Sequence, residues 1–176
     1  MARMIGTTYR ICFVCTGNIC RSPMAEAVLR RLLEEEGLGH AVEVDSAGTT
    51  SWHVGEPADQ RAVVALREAG YDGSAHRAQA FETSWLVDRD LVVALDSGHL
   101  DELRALAAGG PHETKVRLLG SFAEDADRDR GLDGGGDVAD PYYGSAADFE
   151  RVLAQVEAGC RGIIRELVRD GVVQPV

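Results

Sequence analysis

Residues 9–23 read Tyr-Arg-Ile-Cys-Phe-Val-Cys-Thr-Gly-Asn-Ile-Cys-Arg-Ser-Pro, and the expected fold follows from them. The first six of these residues form an apolar run that is typical of a buried strand. Apolar side chains then recur at helical spacing to about Glu36, with Ser22 as a candidate N-cap, Pro23 at the first helical position and Gly37 as a stop. The pattern predicts a strand, a loop and a helix, in that order.

The same alternation continues along the chain. Further strands are predicted at residues 42–45, 90–95 and 116–119, and further helices at about 58–69, 98–108 and 146–169. Alternating strands and helices indicate an α/β fold, here a three-layer sandwich with a central four-stranded parallel sheet and helices on both faces. We expect a single domain over residues 1–176, with its core at about 9–169.

Composition excludes several classes of protein. Of the 176 residues, 45% are hydrophobic and 27% are charged, which is close to the globular average and unlike a disordered or membrane protein. The 29 acidic and 18 basic residues give a net charge of −11. A field of that sign repels polyanions at long range, so we expect no nucleic-acid or membrane partner, and anion binding only in a local basic pocket.

The cysteines are unevenly distributed. Cys12, Cys15 and Cys20 fall within nine residues, and Cys160 is far away. This is a poor disulfide framework, and it indicates a reducing compartment with chemistry at one place. No apolar targeting run precedes the first strand, so we expect a cytosolic protein. The Cys12-x-x-Cys15 spacing does not match the thioredoxin motif, because Cys12 lies within the strand.

Residues 123–139 differ from the rest of the chain. They hold four glycines and five aspartates, with no apolar periodicity. A connection of this length is either functional or loosely ordered.

A cysteine and an arginine enclose the loop after the first strand. In an open α/β sheet a ligand binds at this edge, where the unpaired amides and the dipole of a helix N-terminus favour an anion. Gly17 permits unusual backbone angles, Asn18 tolerates a left-handed one, and Arg21 can hold two oxygens with its fork. Positive surroundings favour the thiolate of Cys15, although a small buried cysteine is the alternative. The loop thus combines a nucleophile with groups that hold a phosphate-like anion.

Three segments resemble those of the low-molecular-weight protein tyrosine phosphatases. They are the run from Val14 to Glu26, which is similar to the family's phosphate loop, the general-acid motif Asp140-Pro141-Tyr142-Tyr143-Gly144, and Asp45-Ser46-Ala47-Gly48 with Trp52, Gly55 and Pro57. They occur in matching order between residues 9 and 169. The resemblance implies a cytoplasmic enzyme of bacterial signalling that hydrolyses phosphotyrosine and aryl phosphate monoesters through a phosphocysteine, without a metal or other cofactor.

The resemblance also implies roles for individual residues. Cys15 would be the nucleophile, Arg21 would hold the phosphoryl oxygens, and Asp140 would be the general acid. Asp140-Pro141 could otherwise be a simple turn initiator. The phosphate-binding positions would be Thr16, Gly17, Asn18, Ile19, Cys20 and Ser22, and the supporting positions Ser46, His76 and Asp96. For Asp96 a helix cap is an equal alternative, and His76 alone would be an ordinary histidine.

Aromatic residues are expected to shape the substrate cleft. Trp52, Tyr142 and Tyr143 could line it so that a flat ring reaches the phosphate at the bottom. The expected partners are phosphotyrosine proteins and inorganic phosphate or other oxyanions, and the two tyrosines are candidate targets of a tyrosine kinase. Cys20 could form a disulfide with Cys15 under oxidant, or could simply pack.

Three other functions share parts of this pattern. An arsenate reductase needs a distal cysteine pair, and no cysteine lies between Cys20 and Cys160. Arginine phosphatases typically have threonine in place of Ile19 and phenylalanine in place of Tyr142, so tyrosine is favoured as the substrate. A phosphate-reading adaptor would need neither a thiolate nor an acid. The chain departs from the family at Ala139, where an acidic residue is frequent.

Overall fold

The computed structural model describes residues 7–124 and 136–175. The strands are β1 (Tyr9–Cys15), β2 (Val42–Gly48), β3 (Leu91–Ala94) and β4 (Val116–Leu118). The helices are α1 (Arg21–Glu35), α2 (Gln60–Glu68), α3 (Trp85–Asp88), α4 (Ser97–Ala107) and α5 (Ala146–Arg169), with 3₁₀ turns at Glu113–Lys115 and Leu119–Phe122.

The four strands form one parallel sheet in the order β2-β1-β3-β4. This confirms the predicted α/β class and the predicted number and direction of strands. The chain moves outward from β1 to β2 and then returns to the other side of β1. The carboxyl end of β1 is therefore a topological switch point, where open α/β sheets bind their ligands.

Successive residues of β1 supply the two faces of the sheet. Ile11 and Phe13 lie in the larger core with α1, α2 and α5, whereas Cys12 and Val14 lie in the smaller core with α3 and α4. All four side chains are fully buried. Burial, followed by the nearby carboxylate of Asp45, raises the pKa of the Cys12 thiol well above its usual range. Cys12 is a packing residue, which agrees with setting the Cys-x-x-Cys pattern aside.

Several predicted boundaries need correction. Helix α1 begins at Arg21 with Cys20 as its N-cap, so Ser22 lies in the first turn and does not cap the helix. Helix α3 was not predicted, because four residues are too few to show a helical period. Within the loop predicted at 123–139, residues 125–135 lie outside the described residues.

Two glycines let α5 approach the chain that follows β4. A Cβ at Gly162 would overlap the carbonyl oxygen of Phe122, and a Cβ at Gly159 would lie 2.5 Å from the side chain of Leu119. Phe122 and Leu119 are both buried. Because glycine has no side chain, the backbone of α5 can lie directly against this turn.

Across the described ranges, no helix is long and apolar enough to cross a membrane.

Gly162→Ala should lower the free energy of unfolding by about 1–3 kcal/mol, because the added methyl group meets the Phe122 carbonyl in a packed interface. Without that contact, the same change inside a helix would raise the free energy of unfolding by roughly 1 kcal/mol through helix propensity. Urea denaturation measures the difference. Ala154→Gly, at an exposed position of α5, isolates the propensity effect. A Gly162→Ala variant more stable than the wild type would contradict the close approach.

Candidate active site

The loop between β1 and α1 surrounds the amino end of α1. The N-cap residue, Cys20, makes no side-chain hydrogen bond to the helix. The first amides of a helix have no partner within the helix, so here they remain directed into the loop together with the positive end of the helix dipole. This end of α1 can therefore receive an anion, as predicted.

The one left-handed residue other than glycine in the described ranges is Asn18, with φ of 56°. This confirms the backbone role predicted for it. Gly17 is different, because its φ is not positive, and its small size serves another purpose. A Cβ at Gly17 would lie 2.9 Å from the His53 ring, so the glycine leaves room for His53 beside the loop.

A chain of hydrogen bonds leads from Asn18 to the thiol. The Asn18 amide oxygen accepts from the backbone N–H of Gln79 at 2.9 Å, which orients the amide so that its nitrogen donates to Ser22 Oγ at 2.8 Å. Cys15 Sγ lies 2.9 Å from the same Ser22 oxygen. A hydroxyl has one proton, and Ser22 can direct it at the sulfur or at the Ala47 carbonyl oxygen, which lies farther away at 3.4 Å. Ser22 is thus within hydrogen-bond distance of the Cys15 sulfur and can donate to it.

The same amide nitrogen of Asn18 reaches the other predicted supporting residues. It donates to Ser46 Oγ at 2.9 Å, and Ser46 Oγ donates in turn to a carboxylate oxygen of Glu26. His76 hydrogen-bonds the Asn18 carbonyl oxygen at 2.7 Å through Nε2, and its Nδ1 lies 3.7 Å from Glu26. Burial alone would raise the pKa of Glu26, but the neighbouring His76, the Ser46 hydroxyl and the positive charge of Arg30 outweigh it and lower the pKa. Glu26 is therefore a largely buried anion at the end of this network.

The residues that follow β2 hydrogen-bond the backbone of the loop. The backbone N–H of Thr49 donates to the Cys15 carbonyl at 2.8 Å, and the N–H and hydroxyl of Thr50 donate to the Thr16 carbonyl at 3.1 and 2.9 Å. Gly48 permits this approach, because a Cβ there would lie 2.7 Å from the Thr16 carbonyl oxygen. The loop is thus held by backbone contacts as well as by side chains.

Arg21 is 3% exposed and connects the loop to two other parts of the site. Its Nη1 donates to Asp96 Oδ2 at 2.7 Å and to the Val138 carbonyl at 3.0 Å. Burial alone would raise the pKa of Asp96, but hydrogen bonds from the His99 N–H and from Arg21 outweigh it and lower the pKa. Asp96 is also the N-cap of α4, so both alternatives weighed for this residue hold at once.

His99 is a buried neighbour that the sequence pattern did not indicate. Its Nε2 lies 2.8 Å from Thr16 Oγ1, and its Nδ1 lies 3.1 Å from Asp96 Oδ1. Burial, followed by the positive charge of Arg21, lowers the pKa of the His99 imidazole. The ring is therefore neutral near pH 7 and adds no cation to the loop. The Asp-x-x-His spacing at the start of α4 was the available signal.

Asp140 faces the loop across a cavity of about 250 Å³. Its Oδ2 lies 3.6 Å from Arg21 Nη2, beyond hydrogen-bond distance, and its side chain is 55% exposed. Cys15, Arg21 and Asp140 all line this cavity. The structure therefore brings together the thiol, the guanidinium and the carboxyl group that were predicted to act as one site.

Aromatic side chains form the rim of the cavity. Trp52 is 74% exposed and Tyr143 is 96% exposed, and Tyr142 packs edge-on against Tyr143 with ring centroids 4.9 Å apart. Exposed aromatic rings beside a cavity with polar side chains suit a flat substrate group. His53 joins the rim, with Nδ1 2.8 Å from Glu56, and was missed because an isolated histidine carries little signal.

Cys20 and Ile19 also line the cavity. Burial, followed by the negative charge of Asp59, raises the pKa of the Cys20 thiol to about 12. Cys20 is therefore a neutral thiol at pH 7. A disulfide between Cys15 and Cys20 under oxidant stays a prediction.

A larger cavity, of about 480 Å³, lies along the outer edge of β2. Its cations are already paired, since Arg10 lies 3.1 Å from Glu43 and Arg89 lies 2.5 Å from Asp45. It has no nucleophile, so the smaller cavity is the candidate active site. Within the part of the chain that the structure describes, no group of three or more His, Cys, Asp or Glu residues is placed to hold a metal ion.

Replacing Asn18 should separate its side-chain hydrogen bonds from its backbone conformation. Asn18→Gly keeps access to positive φ but loses the bonds to Ser22 and Ser46, whereas Asn18→Ala loses both. We expect both variants to bind vanadate at least about tenfold more weakly, as two lost buried hydrogen bonds imply. The alanine variant should be less stable than the glycine variant by about 1 kcal/mol. Vanadate titration and thermal unfolding measure these effects, and wild-type binding by Asn18→Gly would contradict the role of the side chain.

Comparisons with known proteins agree with this geometry. The family model described as low molecular weight phosphotyrosine protein phosphatase matches residues 10–173. A low molecular weight protein-tyrosine-phosphatase of Streptomyces coelicolor is 54% identical over 158 residues, which cover 89% of this chain and 92% of the relative. Low molecular weight protein-tyrosine phosphatase A of Mycobacterium tuberculosis is 48% identical over 153 residues, covering 87% and 88%.

Solved structures show the same likeness. A protein tyrosine phosphatase from Entamoeba histolytica superposes with a TM-score of 0.85 at 30% identity, covering 93% of this chain and 99% of that one. YfkJ from Bacillus subtilis gives 0.84 at 33% identity, covering 94% and 98%. The family resemblance expected from the sequence is thus confirmed over nearly the whole length. The chain belongs to the low molecular weight phosphotyrosine protein phosphatase family.

Proposed function

We propose that this protein hydrolyses phosphotyrosine in proteins, with Cys15 as the nucleophile, Arg21 as the phosphate-holding residue and Asp140 as the general acid. One observation carries the proposal: these three side chains line a single cavity with an aromatic rim. The cavity has Arg21 and Asp140 in its lining and Trp52 and Tyr143 at its rim. This arrangement suits a phosphate group carried on a phenol ring.

In the first step the Cys15 thiolate attacks phosphorus, and the bond from phosphorus to the tyrosine oxygen breaks. The electron pair stays on the leaving oxygen, which takes the proton of the Asp140 carboxyl group. Arg21 Nη2 and the amides at the start of α1 hold the equatorial oxygens as charge spreads over them. The products of this step are the substrate protein with its tyrosine side chain dephosphorylated and a phosphocysteine at Cys15.

In the second step a water molecule attacks the phosphorus of the phosphocysteine. Asp140, now a carboxylate, takes a proton from that water, and the electron pair of the S–P bond returns to Cys15. Ser22, 2.9 Å from the sulfur, stabilises the departing thiolate. Inorganic phosphate is released, and the carboxyl group and the thiolate are both regenerated.

The alternatives fit the site less well. An arsenate reductase must pass a disulfide outward, but Cys160 is fully buried in α5 and its pKa is raised by burial. A binding module needs neither a hydrogen-bonded thiol nor a carboxyl group across the cavity. Ile19 and Tyr142 stand where arginine phosphatases typically have threonine and phenylalanine, and this favours tyrosine as the substrate.

The wider setting is also proposed here. All four cysteines are free and buried, which suits a protein of the reducing cytoplasm. Tyr143, fully accessible beside the site, is a suitable target for a tyrosine kinase, as is the half-exposed Tyr142. Such a kinase and phosphotyrosine substrate proteins would place this enzyme in bacterial signalling.

Cys15→Ser should abolish hydrolysis of para-nitrophenyl phosphate, because a serine hydroxyl at this site is not ionised at neutral pH. Binding of inorganic phosphate should remain within about tenfold of wild type, since Arg21 and the loop amides are unchanged. Steady-state assays and isothermal titration measure the two properties.

The wild-type enzyme should also hydrolyse phosphotyrosine peptides with a higher kcat/KM than phosphoarginine peptides. The opposite preference would reassign the substrate.

Asp140→Asn should lower kcat/KM for phenyl phosphate by about 10²–10⁴-fold, the usual contribution of a general acid. An aryl phosphate with a strongly acidic phenol leaves without a proton and should lose much less. Alkylation of Cys15 by iodoacetate should continue. An equal loss for poor and good leaving groups would show that Asp140 is not the acid.

A further inference from the structure

The segment that carries the proposed acid, residues 137–144 and here called the acid segment, is held only weakly through Asp140 itself. The Asp140 side chain is 55% exposed, and Oδ1 accepts only the nearby N–H of Tyr142 at 3.1 Å. Ala139, where the family frequently has an acidic residue, is exposed and has no polar side chain. Yet a catalytic acid must be held within a fraction of an ångström of its place to be effective. Other groups must therefore position this segment.

The amino side of the segment is anchored at the start of α4. The two Asp137 carboxylate oxygens accept from the backbone N–H of Ser97 at 2.9 Å and from its hydroxyl at 2.8 Å. The next residue, Val138, donates its N–H to the Leu95 carbonyl at 2.8 Å and accepts from Arg21. Ser97 directly follows Asp96, which holds Arg21. Asp137 thus ties the acid segment to the element that positions the phosphate-holding arginine.

The carboxyl side of the segment is anchored by Arg61, from the first turn of α2. Its Nη2 donates to the Tyr142 carbonyl at 2.8 Å, and its Nη1 donates to the Gly144 carbonyl at 3.4 Å. The guanidinium also lies 4.7 Å from the ring centroid of Phe149, at the start of α5. A planar fork is suited to holding two carbonyls of one turn in a fixed direction.

Arg61 is itself oriented by a residue that contacts the phosphate loop. Asp59 binds its Nε and Nη2 at 3.0 and 2.9 Å, and the hydrogen bond from Arg61 lowers the pKa of Asp59. The backbone N–H of Asp59 donates to the Ile19 carbonyl at 2.7 Å. A continuous connection therefore runs from the phosphate loop through Asp59 and Arg61 to the turn that follows the acid.

We propose that Asp137 and Arg61 are positioning residues that hold the acid segment at its two ends, so that Asp140 stands over Cys15 before substrate arrives. Neither of them is among the residues that line the cavity. The proposal rests on the proposed function, because it assumes that Asp140 is the general acid. It also explains how the segment is held without an acidic residue at Ala139.

The test compares Asp137→Asn, Arg61→Gln and Arg61→Lys on a series of aryl phosphates with phenols of increasing acidity. For phenyl phosphate, kcat/KM should fall about 10- to 100-fold in the first two variants, as a displaced acid would cause. For 2,4-dinitrophenyl phosphate it should stay within about threefold. Arg61→Lys keeps the charge but loses the fork, and should fall between. Binding of vanadate should be unchanged.

The decisive measurement is made in an Asp140→Asn background. With the acid removed, Asp137→Asn and Arg61→Gln should lower kcat/KM for phenyl phosphate no further, because the group through which they act is gone. A general loss of structure would still lower it. Thermal unfolding and vanadate binding identify any variant that is misfolded, and in that case Arg61→Lys carries the comparison.

Two matched controls lie away from the site. Arg117 pairs with Glu166 and lies over the Phe122 ring at 4.0 Å, as Arg61 pairs with Asp59 over Phe149. Asp72 accepts from the N–H and hydroxyl of Ser74 at 2.9 and 2.6 Å, as Asp137 does from Ser97. Arg117→Gln and Asp72→Asn should leave the leaving-group dependence as in the wild type.

The outcomes separate the inference from the function on which it rests. If Asp140→Asn lowers kcat/KM equally for poor and good leaving groups, the assignment of Asp140 as the acid fails. If Asp140→Asn affects poor leaving groups more, the assignment stands. The positioning proposal is then overturned if the positioning variants lower kcat/KM equally for all the aryl phosphates, or lower it further in the Asp140→Asn background.

Discussion

The guanidinium of Arg21 is the point at which the parts of this site meet. A buried cation is costly unless its hydrogen bonds are satisfied and a counter-charge lies nearby. Asp96 and the Val138 carbonyl satisfy Nη1, and they come from the carboxyl side of β3 and from the segment that carries the acid. Burying one arginine therefore brings three distant stretches of chain to one place. Nη2, which lies beside Asp140, remains directed toward the cavity.

A second network of hydrogen bonds, centred on Asn18, stabilises the loop between β1 and α1. Asn18 takes a left-handed conformation, and its amide links Ser22 with Ser46, so backbone geometry and the environment of the thiol depend on one side chain. Glu26 supplies a buried negative charge at the far end of this network, away from the anion site. The net charge of −11 is compatible with anion binding because the amides and Arg21 act at short range, whereas the surface carboxylates are screened over about 10 Å.

Much of the site could be predicted because its residues are close in sequence or belong to a short motif. The strand, loop and helix around Cys15 and Arg21 follow from local patterns, and the family motif located Asp140. Local patterns failed where two assignments were compatible with the same residue. Ser22 looked like a helix cap, but the helix and its N-cap begin two residues earlier, at Arg21 and Cys20. Gly17 makes room for the His53 ring instead of adopting a positive φ. Arg61 and Asp137 were missed because a surface arginine or aspartate carries no signal until its partners are known.

Through hydrophobic periodicity, the sequence by itself determined the α/β class and the order of the strands and the longer helices, and it placed the candidate thiol and arginine in one short loop. The candidate acid, Asp140, came from the resemblance to a family motif. Asp96 was expected as a supporting residue, but only the tertiary structure showed that it binds Arg21. Only the tertiary structure also revealed the other groups around the site: His99 beside the loop, Asp59 with Arg61 on one side of Asp140, and Asp137 on the other. The physical reason is that hydrogen bonds and ion pairs act over about 3 Å in space, whatever the separation along the chain. The folded sheet brings residues 59, 96 and 137 within that range of the site.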